Sequence, residues 1–276
     1  MNILDLVNNY SREIWDGTDK HHNECVSRLQ NFAFKVGNLA VADIEAQHVY
    51  EYVTILKQQD FSVATCNRHV AAISAALRFA RESGWLTNYF KIKTKKEDHR
   101  LRFFSEEELQ RIEAFCKRSD VDWWFLDMCA IARYTGMRHS EVLMLSDREK
   151  SSVYEEDGAY HILLHKTKNG DAREIAVYHP DTQRAVMRIS EQNNLNWYSH
   201  KVFYRQWEQM RNIIAKGDKQ FVFHVFRHTA ASRMANELRM NSDIIGQWLG
   251  HRNPATTSKY VHIKKDTIKS IATQLA

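Results

Sequence analysis

The sequence predicts a mainly helical protein with a small antiparallel β-sheet, organised as two domains. Apolar residues recur at helical spacing through residues 1–89 and again after residue 104. The spacing changes to a strand pattern in two short segments, 160–164 and 174–177. With only two prolines and nine glycines among 276 residues, an all-β sandwich is excluded, because its turns consume both residue types.

The first domain is predicted to be a helical bundle that spans residues 1–90. Its third helix places Val70, Ile73 and Leu77 on one face and stops at Gly84. The predicted helices cover residues 23–36, 45–57 and 63–82. Residues 91–103 follow as a basic interdomain linker, since positions 91–102 carry six Lys or Arg against two acidic residues and few apolar ones.

The second domain is predicted to span residues 104–276 and to open with a capping box at Ser105 and Glu108. Asn169-Gly170 between the two strand-like segments is a strong hairpin signal. The predicted helices before the hairpin cover residues 105–116, 123–134 and 137–145, and the helical pattern returns from residue 182 onward. A tail at residues 261–276 places Ile268, Ile271 and Leu275 on one apolar stripe.

Charge is concentrated toward the C-terminal end of the chain. The formal net charge is +5, but residues 201–276 alone carry 13 basic and five acidic side chains. Such a concentration is typical of a protein that binds a polyanion such as nucleic acid, the alternative being a solvated basic surface. No apolar run is long enough to cross a membrane and no signal peptide precedes the first helix. The four cysteines lie far apart, so we expect reduced structural thiols in a cytoplasmic protein.

Two small clusters in the middle of the chain contain candidate functional side chains. Arg138 follows the helix stop at Gly136, and Glu141 shares its helix face. The arginine could hold a phosphate with its planar fork, or the two residues could form an ordinary surface ion pair. Lys168 lies at the tip of the predicted hairpin, where a lysine is either functional or merely solvated.

Two further clusters lie near the C-terminus. His224, Arg227 and His228 fall at helical spacing on one predicted face. A zinc site is disfavoured there, because the glutamate of HExxH is missing and a guanidinium would repel the cation. An anionic ligand fits this face better. His251 follows the helix end at Leu249-Gly250, and Tyr260 lies nine residues later in a predicted short helix that Asn253-Pro254 begins.

Together these side chains suit metal-free chemistry on a phosphodiester. The sequence contains no paired-carboxylate metal site, no GxxxxGK[ST] phosphate loop and no GxSxG elbow. Arginines can stabilise charge on the non-bridging oxygens, a tyrosine can attack phosphorus, and lysine or histidine can move the protons. We therefore expect no cofactor and no metal.

The order of these motifs resembles the tyrosine recombinase (phage integrase) family. The segments that carry the resemblance are TGMRHSE, the hairpin lysine, HVFRHTAAS and LGHRNPATTSKYVH. The resemblance covers roughly residues 104–276. Residues 1–89 are similar to the family's core-binding domain only in length, helicity and position. No further module precedes them in this sequence, so the expected type is the short, two-domain one.

The resemblance implies a site-specific recombinase or integrase that cuts and rejoins DNA through a 3′-phosphotyrosyl bond, without ATP. In that enzyme Tyr260 is the nucleophile, Lys168 the general acid and His224 the base, while Arg138, Arg227 and His251 bind the scissile phosphate. The implied partners are double-stranded DNA with specific recombination sites, a homotetramer assembled on that DNA, and accessory DNA-bending proteins of host or phage. Two alternatives stay open: a topoisomerase of the tyrosine type and a catalytically silent DNA-binding regulator.

Overall fold

A computed structural model describes residues 1–97, 102–165, 172–251, 253 and 256–257. The chain divides into two compact units, residues 1–99 and 100–276. Within the described residues both units are mainly helical, and the second contains a three-stranded antiparallel sheet. The predicted fold class is confirmed. No helix in this part of the chain is long and apolar enough to cross a membrane.

The first unit is a bundle of four α-helices around one apolar core. Thr18 caps the second helix by accepting from the His21 N–H, and this cap starts the helix four residues before the predicted position. The first helix, which begins at a capping box between Asn2 and Asp5, was not predicted individually. The helices are α1 (Ile3–Ile14), α2 (Asp19–Val36), α3 (Ala46–Gln58) and α4 (Val63–Glu82).

The beginning of the predicted linker packs against the first unit. Ile92 is buried in the same apolar core as α1 to α4. The side-chain amide of Asn67 accepts from the Lys95 backbone N–H at 3.0 Å and donates to the Lys95 carbonyl at 2.8 Å. The beginning of the predicted linker is therefore anchored to the first unit by one apolar side chain and by the hydrogen bonds of Asn67.

The second unit is built around a buried central helix. Its helices before the sheet are α5 (Glu106–Cys116), α6 (Trp123–Thr135) and α7 (His139–Met144), and those after it are α8 (Pro180–Ser190), α9 (His200–Ala215), α10 (Val225–Asn236) and α11 (Ser242–Leu249). The capping box at Ser105 is present, since the Ser105 hydroxyl accepts from the Glu108 N–H and the Glu108 carboxylate accepts from the Ser105 N–H. Helix α6 packs against α5, α7, α8 and α10, so apolar side chains cover most of its surface.

The sheet has the strand order β1 (Ser151–Glu156), β2 (Ala159–Leu164) and β3 (Arg173–Val177). Ile162 in the middle strand lies opposite Val153 on one side and Ile175 on the other. Strand β1 was not predicted, because it is an exposed edge strand with little apolar alternation. The Asn169-Gly170 turn lies outside the described residues.

Candidate active site

The site begins at the sharp turn between α6 and α7. Gly136 ends α6 in the left-handed conformation, with φ +67°. A Cβ at this position would lie 2.7 Å from Leu249 Cδ2, a separation that the surrounding atoms cannot accommodate without a shift. Glycine is therefore required both for the backbone angle and for the close approach of α11. The turn places Arg138 at the start of α7, where it is the N-cap residue.

Glu141 holds Arg138 by two bonds. The Arg138 backbone N–H donates to Glu141 Oε2 at 2.8 Å, and its guanidinium Nη1 donates to Oε1 at 2.5 Å. The Glu141 side chain is 1% exposed, whereas that of Arg138 is 19% exposed. Burial alone would raise the pKa of Glu141, but the positive charges of Arg173 and Arg138 lower it below its ordinary value. Glu141 is therefore a carboxylate at neutral pH.

Arg173 is a functional candidate that our sequence analysis missed. It opens β3, is buried, and donates from Nη2 to Glu141 Oε2 at 2.8 Å. Strand alternation places it on the same inward face as Ile175 and Val177. An arginine at an inward position of a buried strand was the signal that could have found it.

Arg227 is buried in the first turn of α10. Its side chain is among the largest fully buried in the described residues, and the residue is 1% exposed. Nη1 donates to the Gly136 carbonyl at 3.1 Å, and Nη2 donates to the Leu249 carbonyl. The guanidinium thus connects the end of α6 to the end of α11 and has a fixed orientation.

His224 is the N-cap of α10, and its backbone angles, φ −62° and ψ −15°, are themselves helical. Neighbouring groups surround the His224 ring but leave part of the residue in contact with solvent, whereas Arg227 is buried. The His224 and His228 rings are perpendicular, with centroids 4.8 Å apart. Desolvation and the nearby cationic groups, His228 and Arg227 foremost, lower the pKa of His224 to about 4. His224 is therefore a neutral imidazole at neutral pH and can accept a proton.

His251 follows the left-handed C-cap of α11 at Gly250. Its backbone N–H donates to the Gly246 carbonyl at 2.8 Å, and Nδ1 lies 2.9 Å from the Thr257 hydroxyl. Desolvation and three arginines, of which Arg227 is the strongest, lower the pKa of His251 to about 4. This second imidazole is also neutral at neutral pH.

Four of the six predicted site residues thus belong to one site. Arg138 Nη2 approaches the Gly250 carbonyl at 3.5 Å, beside His251. Arg227 donates to one carbonyl at the end of α6, which precedes Arg138, and to one at the end of α11, which precedes His251. The four residues are Arg138, His224, Arg227 and His251. Lys168 and Tyr260, the predicted acid and nucleophile, lie outside the described residues.

The arrangement fits an anion with several oxygen atoms. Guanidinium groups contribute fixed N–H donors, and neutral imidazoles can donate or accept a proton. Within the described ranges no group of three or more His, Cys, Asp or Glu side chains is placed to hold a metal ion. Arginines and neutral histidines at three helix ends of a mainly helical domain are typical of a protein that binds a phosphate or a similar oxyanion.

Comparison with known proteins identifies the family. The model of the Phage integrase family matches residues 102–267, and the chain belongs to this family. Transposase B from transposon Tn554 of Staphylococcus aureus is 23% identical to it over 265 residues, which cover 86% of this chain. The match covers only 40% of that transposase, so this chain spans less than half the length of the curated relative.

Solved structures of similar fold include integrases and a site-specific recombinase. The Tn1549 transposon integrase, in complex with a circular intermediate DNA, has a TM-score of 0.75 at 18% identity, and the match covers 100% of both chains. XerH site-specific recombinase bound to difH substrate has a TM-score of 0.72 at 16% identity, over 98% of this chain and 93% of that one. Lambda integrase bound to a core site has a TM-score of 0.69 at 14% identity, over 96% and 97% of the two chains.

Proposed function

We propose that this protein is a site-specific DNA recombinase that cleaves and rejoins strands through a 3′-phosphotyrosyl intermediate. The observation that carries the proposal is the meeting of Arg138, Arg227, His224 and His251 at three helix ends in a chain of the Phage integrase family. Its substrate is double-stranded DNA. The scissile phosphodiester carries one negative charge, which the arginines match.

Arg138 and Arg227 stabilise the pentavalent transition state. That state carries more negative charge on the non-bridging oxygens than the ground state does, so fixed cations favour it selectively. Arg138 is partly exposed and bonds to the phosphate directly. Arg227 is held by two carbonyls, so its charge stays in place and needs no reorganisation during the reaction.

His251 adds a neutral hydrogen-bond donor to the phosphate. When the Thr257 hydroxyl donates to Nδ1, the ring proton lies on Nε2, which is the tautomer that can donate to a phosphate oxygen. His224, neutral for the reasons given above, takes the proton of the attacking tyrosine.

The covalent step conserves bond energy. The Tyr260 oxygen forms a bond to phosphorus while the bond from phosphorus to the 5′-oxygen breaks. His224 receives the tyrosine proton and Lys168 gives one to the leaving 5′-oxygen. A 5′-hydroxyl from the partner strand then reverses these steps on a new strand. Because the ester stores the bond energy, neither ATP nor a metal ion is needed, and cleavage is expected to persist in EDTA.

Strand exchange by this chemistry implies partners for the protein. Strand exchange between two duplexes requires cleavage by several protomers, and we propose a homotetramer on two paired sites. A lambda integrase tetramer bound to a Holliday junction shares this fold, with a TM-score of 0.69 over 95% of this chain. We further propose that residues 1–90 form a core-type DNA-binding domain, and that DNA-bending proteins of host or phage assist assembly. The enzyme would act where the DNA lies, in the cytoplasm of a bacterial or phage-infected cell.

The proposal is tested by trapping the covalent intermediate. Purified protein is mixed with fragmented genomic DNA that contains random nicks. When a nick lies close to the cut, the short fragment with the 5′-hydroxyl diffuses away, so the strand cannot be rejoined and the covalent adduct stays trapped. We expect a covalent adduct with DNA attached through a 3′-phosphate to Tyr260, located by mass spectrometry. Sequencing of the trapped DNA then defines the target site.

Matched tyrosine variants make the assignment specific. Tyr260→Phe should bind the target normally and form no adduct, while Tyr178→Phe, which alters an exposed tyrosine of the same unit, should behave as wild type. An adduct in Tyr260→Phe would remove the nucleophile assignment. Specific binding by the wild type with no adduct on any nicked target would instead favour a DNA-binding regulator.

A further inference from the structure

Arg173 is a third buried guanidinium in the site, and the proposed chemistry gives it no task. Its side chain is 5% exposed and forms one ion pair, with Glu141. Its Nε and Nη1 atoms are buried without a hydrogen-bond partner in the part of the chain that the structure describes. Burying donors without partners is unfavourable, so such an arrangement requires an explanation.

The position of Arg173 couples it to two parts of the site. It shares the Oε2 atom of Glu141 with the Arg138 backbone N–H, at 2.8 Å in both cases. Its side chain also packs against Gly250, where a Cβ would lie 3.3 Å from Arg173 Cδ and Nη1. Gly250 has φ +68°, and its carbonyl faces Arg138 Nη2. Arg173 therefore contacts the carboxylate that holds Arg138 and the turn that carries His251.

Arg173 changes the net charge of the cluster that contains Arg138. Arg138 and Glu141 alone form a neutral pair, which attracts a phosphate weakly. Arg173 adds one positive charge, so the cluster of Arg138, Glu141 and Arg173 has a net charge of +1. In a buried environment this difference acts strongly, because the effective dielectric constant is well below that of water. The positive charge of Arg138 is then available to an incoming anion.

We infer that Arg173 is a positioning residue that offsets the charge of Glu141 and supports the Gly250 turn, so that Arg138 can bind the scissile phosphate as an uncompensated cation. This inference rests on the proposed function. Because the orphaned N–H atoms are enclosed, Arg173 acts through Arg138 and Glu141 and does not touch the DNA.

The first experiment compares Arg173 variants in single-turnover cleavage of the DNA target that the trapping experiment identifies. Arg173→Met keeps the length of the side chain and should slow adduct formation on the order of 10- to 100-fold, less than the loss of a direct donor. Arg173→Lys keeps the charge and should recover much of the rate. Arg133→Met removes a partly buried arginine that pairs with Glu106 and Glu113 elsewhere, and it should cleave as wild type does.

The decisive variant is the double substitution Arg173→Met with Glu141→Gln. It restores the net charge of the cluster to +1, so it should form adduct faster than Arg173→Met alone. A purely structural role predicts the opposite, since the second substitution removes another buried bond. A double variant as slow as Arg173→Met, or slower, would overturn the inference. This comparison also holds if Arg173→Met folds poorly, because urea unfolding of both variants reports the folded fraction.

Two further measurements change the charge of the ligand, and the second of them, phosphate binding, does not depend on cleavage. A methylphosphonate at the scissile position removes the charge of the substrate, so the defect of Arg173→Met relative to wild type should shrink there. Inorganic phosphate should raise the thermal midpoint of the wild-type protein, and this rise should be smaller in Arg173→Met. If wild type forms no adduct, the proposed function fails, while the phosphate measurement still decides the charge inference. An equal rise in both proteins would contradict it.

Discussion

Gly136 and Leu249 lie in direct contact, so close that a Cβ on the glycine would lie 2.7 Å from Leu249 Cδ2. The carbonyls of the same two residues accept the two described bonds of the Arg227 guanidinium. The contact between the ends of α6 and α11 therefore sets the distance that Arg227 bridges. A packing requirement between two residues far apart in the sequence thus positions a charged group of the site.

Gly136→Ala should therefore be more destabilising than a comparable glycine substitution. It introduces both the strain of a positive φ and the steric overlap with Leu249. Gly158→Ala is the matched control, because Gly158 has φ +76° and no atom lies within 4 Å of the point where its Cβ would be. We expect the control to lose about 1 kcal/mol of unfolding free energy and Gly136→Ala to lose roughly a further 1–3 kcal/mol. Urea unfolding measures both, and equal losses would refute the steric argument.

The fold could be predicted where local signals agree with the tertiary structure. The Ser105 capping box, the end of α6 at Gly136 and the strands β2 and β3 all have strong local sequence signals. Strand β1 lacks such a signal, because its side chains are mostly exposed. Pairing with β2, a tertiary interaction, makes it a strand.

The sequence pointed to four residues that meet in the structure, but it did not predict how their side chains are oriented. Helical spacing placed His224 and Arg227 together, but it does not reveal that Arg227 is buried while His224 keeps some contact with solvent. The role of Arg173 depends on Glu141, which is 32 residues away in the chain. Such a contact arises only from the tertiary structure, which brings the first residue of β3 close to Glu141 in α7, and no local pattern records it.

Arg138→Lys should slow cleavage on the order of 100- to 1,000-fold, the usual cost of one donor to a developing oxyanion. Lysine keeps the charge but loses the planar fork that bonds Glu141 and reaches the Gly250 carbonyl at once. Single-turnover adduct formation is the measurement. Arg118→Lys changes an exposed arginine paired with Asp120 and should be neutral. Cleavage by Arg138→Lys near the wild-type rate would contradict the direct contact.

Acidification should destabilise the second unit between pH 6.5 and about 4. Burial lowers the pKa of His139 from 6.5 to about 4, with His200 contributing. The unfolded chain then binds more protons than the folded chain within this window, so stability rises with pH there and is constant above it. His224 and His251 act in the same direction.

His139→Gln should flatten that pH dependence. The His139 imidazole contributes at most about 1.4 kcal/mol per pH unit to the slope of unfolding free energy against pH. The measurement is the urea midpoint at several values between about pH 4.5 and 7.5, which bracket the window of the shifted imidazole, for wild type and variant. An unchanged slope in His139→Gln would show that this ring is not a source of the acid sensitivity.

Lys168→Ala should be rescued by a substrate whose 5′-bridging oxygen at the cut is replaced by sulfur. A thiolate leaves without a proton, so a general acid is no longer needed. Arg138→Ala should not be rescued, because phosphate charge still has to be stabilised. The ratio of adduct formation on the two substrates is measured for both variants. Equal defects of Lys168→Ala on the oxygen and sulfur substrates would remove the acid role.

The C-terminal tail, residues 261–276, lies outside the described residues. The helical spacing of Ile268, Ile271 and Leu275 predicts an apolar stripe, and Lys265 and Lys269 are predicted to lie outside it. The stripe either packs on its own domain or docks on a neighbouring protomer. Docking on a neighbour would make cleavage depend on assembly, because Tyr260 lies just before the tail.

Deletion of residues 264–276 separates these two arrangements. If the tail docks on a neighbour, the truncated protein should bind a single site normally, fail to pair two sites, and cleave at a rate that no longer depends on protein concentration. Gel-shift titration with one-site and two-site DNA, together with adduct formation across protein concentrations, measures all three. The matched control replaces Lys264, Lys265 and Lys269 with Gln, which keeps the apolar stripe and should preserve pairing. Loss of cooperative unfolding on deletion, or normal pairing of sites, would establish that the tail does not act between protomers.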